Sequence, residues 1–298
     1  VKASAASVGE RDAALRMLAG PRPPADRDRS VERFQRLISI GALDPAGLFV
    51  VRGGSGAILG SILVSVMPGA LGLAWPPCAV RADRSAIEDS LVEAAGAWLR
   101  ARGVKVCQAF AGSDDHESFA AFTRAGFTNP TRLVELRRAA TDEPPPIRRL
   151  AFEPLSESNR TAFHRMLLAT FEGSLDCPEA NGSRSTSELL AGYEELPTDG
   201  FQLVRCGDES AGVLLLSESA NGSEGEIAYL GLAPTFRGRG LGSELVSFAR
   251  RWSMKSGHAS LALSVDERNA PAIRIYETHG FQVSGARSVF LACWSEVS

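Results

Sequence analysis

The sequence predicts a mixed α/β chain built from two similar domains in tandem, and three observations lead there. The chain is 298 residues long, against roughly 100–200 for a usual domain. A three-proline stretch, Thr141-Asp142-Glu143-Pro144-Pro145-Pro146, interrupts it near the middle, and such a run neither continues a helix nor donates to a sheet ladder. Finally, the chain resembles itself at an offset of 154 residues. Trp98 and Gly103 fall on Trp252 and Gly257, Leu91, Val92 and Ala95 on Leu245, Val246 and Ala249, and Gly126-Phe127 on Gly280-Phe281. Agreement across separate segments without a gap marks two copies of one unit. The expected domains are residues 1–142 and 147–298.

The elements of the second copy follow from periodicity. Apolar spacing of 3.6 predicts a helix over Arg160–Phe171; a polar loop and a short helix over 186–195 come next, then strands at Phe201–Cys206 and 211–218. Residues 226–232 read as a buried strand stopped by Pro234. Past a glycine-rich turn, Leu241, Leu245, Phe248 and Trp252 mark one face of a helix. A strand over 261–265 and a helix over 270–279, closed by Gly280, precede a last strand over 288–293.

Composition narrows the function. The chain is 44% hydrophobic and 22% charged, ordinary for a globular protein, and its formal charge of −3 lacks the basic excess of a nucleic-acid binder. Five scattered cysteines (Cys78, Cys107, Cys177, Cys206, Cys293) show neither disulfide-framework nor zinc spacing, and His116, His164, His258 and His279 show no metal-ligand spacing. No metal is expected. No run of about 18 apolar residues marks a membrane span and the opening segment has no long apolar stretch, so a cytoplasmic location with no membrane or nucleic-acid partner is expected.

The chemistry centres on Arg237-Gly238-Arg239-Gly240-Leu241-Gly242-Ser243, between a strand and a helix. There the free N–H groups of a first helical turn meet an anion, glycines admit it closely, and two arginines add charge. A bare strand-to-helix turn is the rival reading. No Gly-Lys-Ser/Thr follows, and no G-x-G-x-x-G opens a repeated βαβ unit with an acidic residue about 20 positions on, so nucleotide and dinucleotide loops fit worse.

The run from Glu226 to Gly242 resembles the central strand and pyrophosphate loop of the GNAT superfamily of N-acetyltransferases, with its pattern [Q/R]-x-x-G-x-[G/A]. Asn269-Ala270-Pro271 through Tyr276 to Gly280-Phe281, about 30 residues further on, is similar to that family's late helix. The resemblance covers residues 147–298 and implies a mixed, mostly antiparallel sheet flanked by helices in each copy. It also implies direct transfer of an acetyl group from acetyl-CoA, as acyl donor, to a primary amine of a small molecule. In that reading Glu226 is the base, Tyr276 protonates the leaving thiolate, and the backbone of Leu230, Gly231 and Leu232 holds the pantetheine and oxyanion across a bulge. Asn269 either binds the donor or caps its helix. A solvated strand-end glutamate and a buried structural tyrosine stand as the plain readings of Glu226 and Tyr276. Covalent catalysis through Cys177 has no neighbouring histidine in sequence to support it.

At the same offset, Asp83, Arg84, Ser85, Ala86, Ile87 and Glu88 replace the glycine loop, Gly72 faces Glu226, and Phe122 faces Tyr276. The first copy is therefore expected to be a degenerate, non-catalytic GNAT-like domain. The tandem layout resembles mycothiol synthase-like proteins, whose acceptor is not carried over. Glu172, Asp176 and Glu179 are candidates to meet a cationic amine, Asn181 and Arg184 to read polar groups; a solvated loop is the alternative. A protein N-acetyltransferase and a non-catalytic acyl-CoA sensor remain the other functional readings. Oligomeric state is left between a homodimer and a monomer whose two copies form a pseudo-dimer.

Overall fold

The computed structural model describes residues 2–20, 23–80, 82–112, 116–180, 182–194, 199–219 and 222–294; Asn181 and residue 195 lie outside them. In chain order the elements are β1 (Ala3–Ala5), α1 (Arg11–Leu18), α2 (Pro24–Ser39), β2 (Leu48–Arg52), β3 (Ile58–Met67), β4 (Leu71–Ala74), β5 (Cys78–Ala79), α3 (Arg84–Arg100), β6 (Val106–Gly112), α4 (His116–Arg124) and β7 (Thr128–Ala139). They continue as β8 (Leu150–Pro154), α5 (Arg160–Phe171), α6 (Thr186–Glu194), β9 (Phe201–Cys206), β10 (Glu209–Glu218), β11 (Glu224–Leu232), α7 (Gly242–Lys255), β12 (Ser260–Asp266), α8 (Ala270–Thr278) and β13 (Gln282–Cys293).

Packing divides the chain into Val1–Pro130 with Ser288–Ser298, and Thr131–Arg287. This differs from a division at the prolines, and hydrogen bonding supplies the reason. The stretch Leu133–Ala139 of β7 runs antiparallel to Ser260–Asp266 of β12, so it belongs to the second unit's sheet. The end of β13 places Phe290 and Ala292 in the first unit's core. The three prolines are strapped along α7 within the second unit: Arg250 donates to the Asp142 carbonyl (3.1 Å) and Arg251 to that of Pro145 (3.1 Å). They do not form a free spacer.

In the first unit β1, β2, β3 and β4 pair antiparallel in that order, and β4 pairs β6 in parallel. Ile87, Leu91, Ala95 and Leu99 of α3 bury against this sheet. In the second unit the order is β8-β9-β10-β11-β12-β7, antiparallel except for the parallel β11–β12 pair. The apolar run Val213-Leu214-Leu215-Leu216 is continuous because both faces of β10 are covered. Val213 and Leu215 pack with Phe163 and Leu167 of α5, and Leu214 and Leu216 with Leu245 and Ala249 of α7.

The two registers refine the internal alignment. Gly72 pairs Cys107 on β6, and Gly225 pairs Leu261, which is the residue 154 positions after Cys107. Gly72 is thus the counterpart of Gly225, and Leu73 rather than Gly72 stands where Glu226 does. A Cβ on Gly72 would meet Val104 and Leu99, and one on Gly225 would meet His258 and Trp252, the equivalent neighbourhood. The repeat slips by one residue in the strand because the connection to the following helix differs in length.

Candidate active site

The site is built by two irregularities in β11. The parallel β11–β12 pair holds only from Glu224/Ser260 to Glu226/Ala262, after which the strands part. Backbone groups of β11 beyond Glu226 lose their β12 partners, and a cavity of about 510 Å³ opens between Ile227–Leu232 and Leu263–Val265. The second irregularity is a bulge. Leu215 pairs Tyr229 and Leu216 pairs Ile227, so Ala228 is the extra residue. It shifts the alternation by one: Ile227, Leu230 and Leu232 join the α7 core, whereas Tyr229 and Gly231 turn to the α5 side with Glu226. In an unbroken strand Tyr229 would lie on the opposite face from Glu226.

Gly231 is small for a reason visible on that side, since a Cβ there would sit 2.6 Å from Thr170 Cβ. Thr170 Oγ1 is 2.8 Å from the Tyr229 hydroxyl, so the last turn of α5 lies close on β11.

The glycine loop has the conformation its sequence requires. Gly238 and Gly240 adopt φ of +72° and +73°, where a Cβ is strained, and α7 begins at Gly242. A Cβ on Gly242 would meet Ile275 Cδ1 at 2.7 Å. Gly238, Gly240, Leu241 and Gly242 all line the cavity. Behind the loop, Arg149 donates to the carbonyls of Arg239 (2.8 Å) and Gly240 (3.2 Å) and pairs with Glu244 (2.8 Å). Burial opposes ionisation of Glu244, yet Arg149 and the amides of Arg148 and Leu150 hold its carboxyl down at about 2.

Arg237 has a different occupation from the one expected. Its guanidinium donates to the carbonyls of Leu232 (2.9 Å), Thr170 (2.9 Å), Glu172 (2.7 Å) and Gly173 (3.1 Å). It closes the C-terminal end of α5 onto the end of β11. Arg239 is exposed, with its guanidinium 5.3 Å from the Phe236 ring centroid.

Among the expected site residues, Leu230, Gly231, Leu232, Arg237, Gly238, Gly240, Leu241, Gly242, Asn269 and Tyr276 line the cavity; Glu226, Arg239 and Ser243 do not. Glu226 is exposed where the strands begin to part. Tyr276 is 7% exposed and its phenol is pushed up by burial, with Asp176 adding to the effect. Asn269 caps α8, accepting from the Ala272 amide at 3.3 Å.

Ser243 Oγ is 2.7 Å from His279 Nε2, linking the start of α7 to the end of α8. Burial, then the charges of Arg250 and Arg138, push His279 down to about 4, so the imidazole is neutral at pH 7. An unfolded imidazole titrates near 6.5, and the unfolded chain therefore binds more protons between those values. Stability contributed by His279 is present above about 6.5 and is lost as pH falls towards 4. Thermal melts at pH 7.5 and 5 are expected to show a larger drop for the native protein than for His279→Gln; equal drops would contradict this role.

Interactions distant in sequence, and carrying no local motif, tie the loop after α5 to the end of β12. Asp266, fully buried, accepts from Thr131 Oγ1 (2.6 Å), the Cys177 amide (3.0 Å) and the Arg268 amide (2.9 Å) and guanidinium (2.7 Å). Burial opposes its ionisation, but these donors hold it well below the usual carboxylate range. Arg268 also grips Glu179 (2.7 Å). Asp176, Cys177 and Asp266 bring potential ligand atoms within 4.8 Å of one another, but Arg268 already occupies Asp266. Burial and the neighbouring Asp176 and Asp266 push the Cys177 thiol up to about 12, which disfavours a thiolate nucleophile.

A splayed parallel pair, a bulge, and a positive-φ glycine turn at a helix start meet around one cavity. The family pattern described as Acetyltransferase (GNAT) family matches residues 167–281. The second unit is a GNAT acetyltransferase domain. The chain is 36% identical over 93 residues to the mycothiol acetyltransferase of Acidothermus cellulolyticus, covering 30% of this chain and 28% of that one. It is 31% identical over 173 residues to that of Thermobispora bispora, covering 52% and 55%. The chain thus spans about half or less of the length of these curated relatives.

Among solved structures, a GCN5-related N-acetyltransferase from Sphaerobacter thermophilus superposes with TM-score 0.66 at 16% identity, covering 98% of this chain and 95% of that one. A tandem GNAT protein from the clavulanic acid biosynthesis pathway gives 0.55 at 16%, covering 98% and 97%. These likenesses concern the fold, and with the internal repeat they make the chain a tandem GNAT fold.

Proposed function

We propose that the GNAT domain transfers an acetyl group from acetyl-CoA to a primary amine of a small molecule. The observation that carries this reading is the single cavity shared by the parted edge of β11, the glycine loop and Tyr276. The amides of Gly240–Gly242 suit a pyrophosphate, and the unpaired stretch of β11 suits the amide-bearing pantetheine arm. The relatives named mycothiol acetyltransferase support a small acceptor.

An alkyl amine is less than about one part in a thousand unprotonated at pH 7, so the proton must be taken away during attack. Glu226, at the mouth of the parted strands, suits that task through a water molecule. The amine nitrogen then forms the C–N bond at the thioester carbonyl, with β11 amides facing the developing oxyanion. As the C–S bond breaks, the electron pair leaves on sulfur and takes the phenolic proton of Tyr276, which burial keeps protonated at neutral pH. The first unit has Leu73 where Glu226 stands and the buried Phe122 where Tyr276 stands, which supports a non-catalytic role for it.

Calorimetry with acetyl-CoA, followed by a free-thiol assay with an amine panel, tests the reading. Glu226→Gln and Tyr276→Phe are each expected to lower kcat about 10- to 100-fold, with acetyl-CoA affinity within about twofold. The Tyr276 hydroxyl makes no hydrogen bond among the described residues, so its removal leaves packing intact. Thiol release unchanged in both variants would remove these two residues from the mechanism. Acetyl-CoA binding with no transfer to any amine would favour a sensor, and transfer only to lysine-containing peptides a protein acetyltransferase.

A further inference from the structure

We propose that Asp176 is the anchor for the acceptor's ammonium group, so that the second unit takes small primary amines in the protonated form in which they arrive. The inference rests on the acetyl-transfer reading above and goes beyond it by assigning the acceptor's charge and the residue that reads it.

Of the three acidic residues in the loop after α5, only Asp176 lines the cavity. Glu172 is exposed, and Glu179 is held by both ends of the Arg268 fork, at 2.7 and 3.0 Å. Asp176 is also the only carboxylate among the residues described as lining that cavity, which Tyr276 shares. One of its oxygens, Oδ1, accepts the Asp266 amide at 2.8 Å, which fixes the side chain. Its other oxygen makes no hydrogen bond among the described residues.

Among the described residues no cation is ion-paired with Asp176. Arg268 is spent on Asp266 and Glu179. Arg237, the one cationic residue among those lining the cavity, has its donors on four backbone carbonyls. Burial accordingly pushes the Asp176 carboxyl up, and the nearby Asp266 adds to this against the opposing pull of its amide hydrogen bond and of Arg268. A half-buried carboxylate with an amide donor but no cationic partner gains most from a ligand that brings a positive charge. A primary amine at pH 7 is almost entirely ammonium, with three donors and no acceptor, and matches that need. Captured there, the ammonium gives a proton through water to Glu226, and the lone pair so freed on nitrogen attacks the thioester carbonyl.

Asp176→Asn deletes the charge while keeping an oxygen for the Asp266 amide, so it separates charge recognition from loop structure. The full-length chain is assayed by thiol release with acetyl-CoA and 2-phenylethylamine, D-glucosamine or cadaverine. For whichever amine the native protein acetylates, Asp176→Asn is expected to raise KM at least 30-fold, with kcat reduced less than fivefold and acetyl-CoA Kd within twofold. Asp176→Glu, which keeps the charge, is expected to recover part of the lost KM. A KM within threefold of native in Asp176→Asn overturns the proposal, and so does parallel loss of kcat and acetyl-CoA affinity, which marks a structural role. A native protein that binds acetyl-CoA but acetylates none of the three amines overturns the acetyl-transfer reading, and this inference falls with it.

Discussion

Acetyl-CoA affinity is expected to fall more than 100-fold when Gly240 is replaced by glutamate. Two effects act together. Gly240 holds φ at +73°, where any residue with a Cβ pays roughly 1–2 kcal/mol, so the turn relaxes away from its present shape. The new carboxylate also lies on the wall of the cavity beside the first amides of α7, and repels a pyrophosphate where those amides attract it. Gly240→Ala separates the two, since it adds the strain without the charge and is expected to lose about 10-fold. Calorimetry on the native protein and both variants measures this, with far-ultraviolet circular dichroism to verify folding. A folded Gly240→Glu protein with native affinity would move the donor site away from this loop, and the first unit would become the place to search.

The second large effect is structural. Asp266→Asn preserves shape but turns an amide NH2 towards a site where five donor groups converge: Thr131 Oγ1, the Cys177 and Arg268 amides, and two guanidinium nitrogens of Arg268. Donors then face donors. Removing one partner of a buried charge pair costs roughly 3–5 kcal/mol, and because Arg268 is 38% exposed and regains some water, a loss of about 3 kcal/mol is expected. Urea denaturation reads it directly. The Cys177 amide loses its anchor in the same change, so KM for the amine rises while acetyl-CoA affinity changes little. An unchanged urea midpoint would show that the cluster contributes nothing to stability.

Much of the glycine-turn side of the cavity was legible locally. Positive-φ glycines at the start of α7, an asparagine cap and a buried tyrosine on α8 are written within about 45 residues of chain, because turns and caps are specified by the residues that form them. Arg237 shows where local reading stops. Its position next to the glycines suggested a phosphate contact, whereas the structure shows three of its N–H groups donating to carbonyls at the end of α5, some 65 residues earlier in the chain. The bulge at Ala228 was equally invisible, since Glu226–Leu232 has the apolar content of a buried strand whichever residue is extra.

What the sequence by itself determined is therefore the repeat, the order of elements, and the glycine-rich turn, all set by hydrophobic period and backbone conformation over short distances. Only the tertiary structure decided that the strand before the prolines belongs with the second unit, that Leu73 rather than Gly72 is the counterpart of Glu226, and that Asp176 alone of three acidic neighbours reaches the cavity. Those outcomes depend on strand register and on which arginine reaches which carboxylate first. Both are settled by competition among partners far apart in the chain, which no local pattern records.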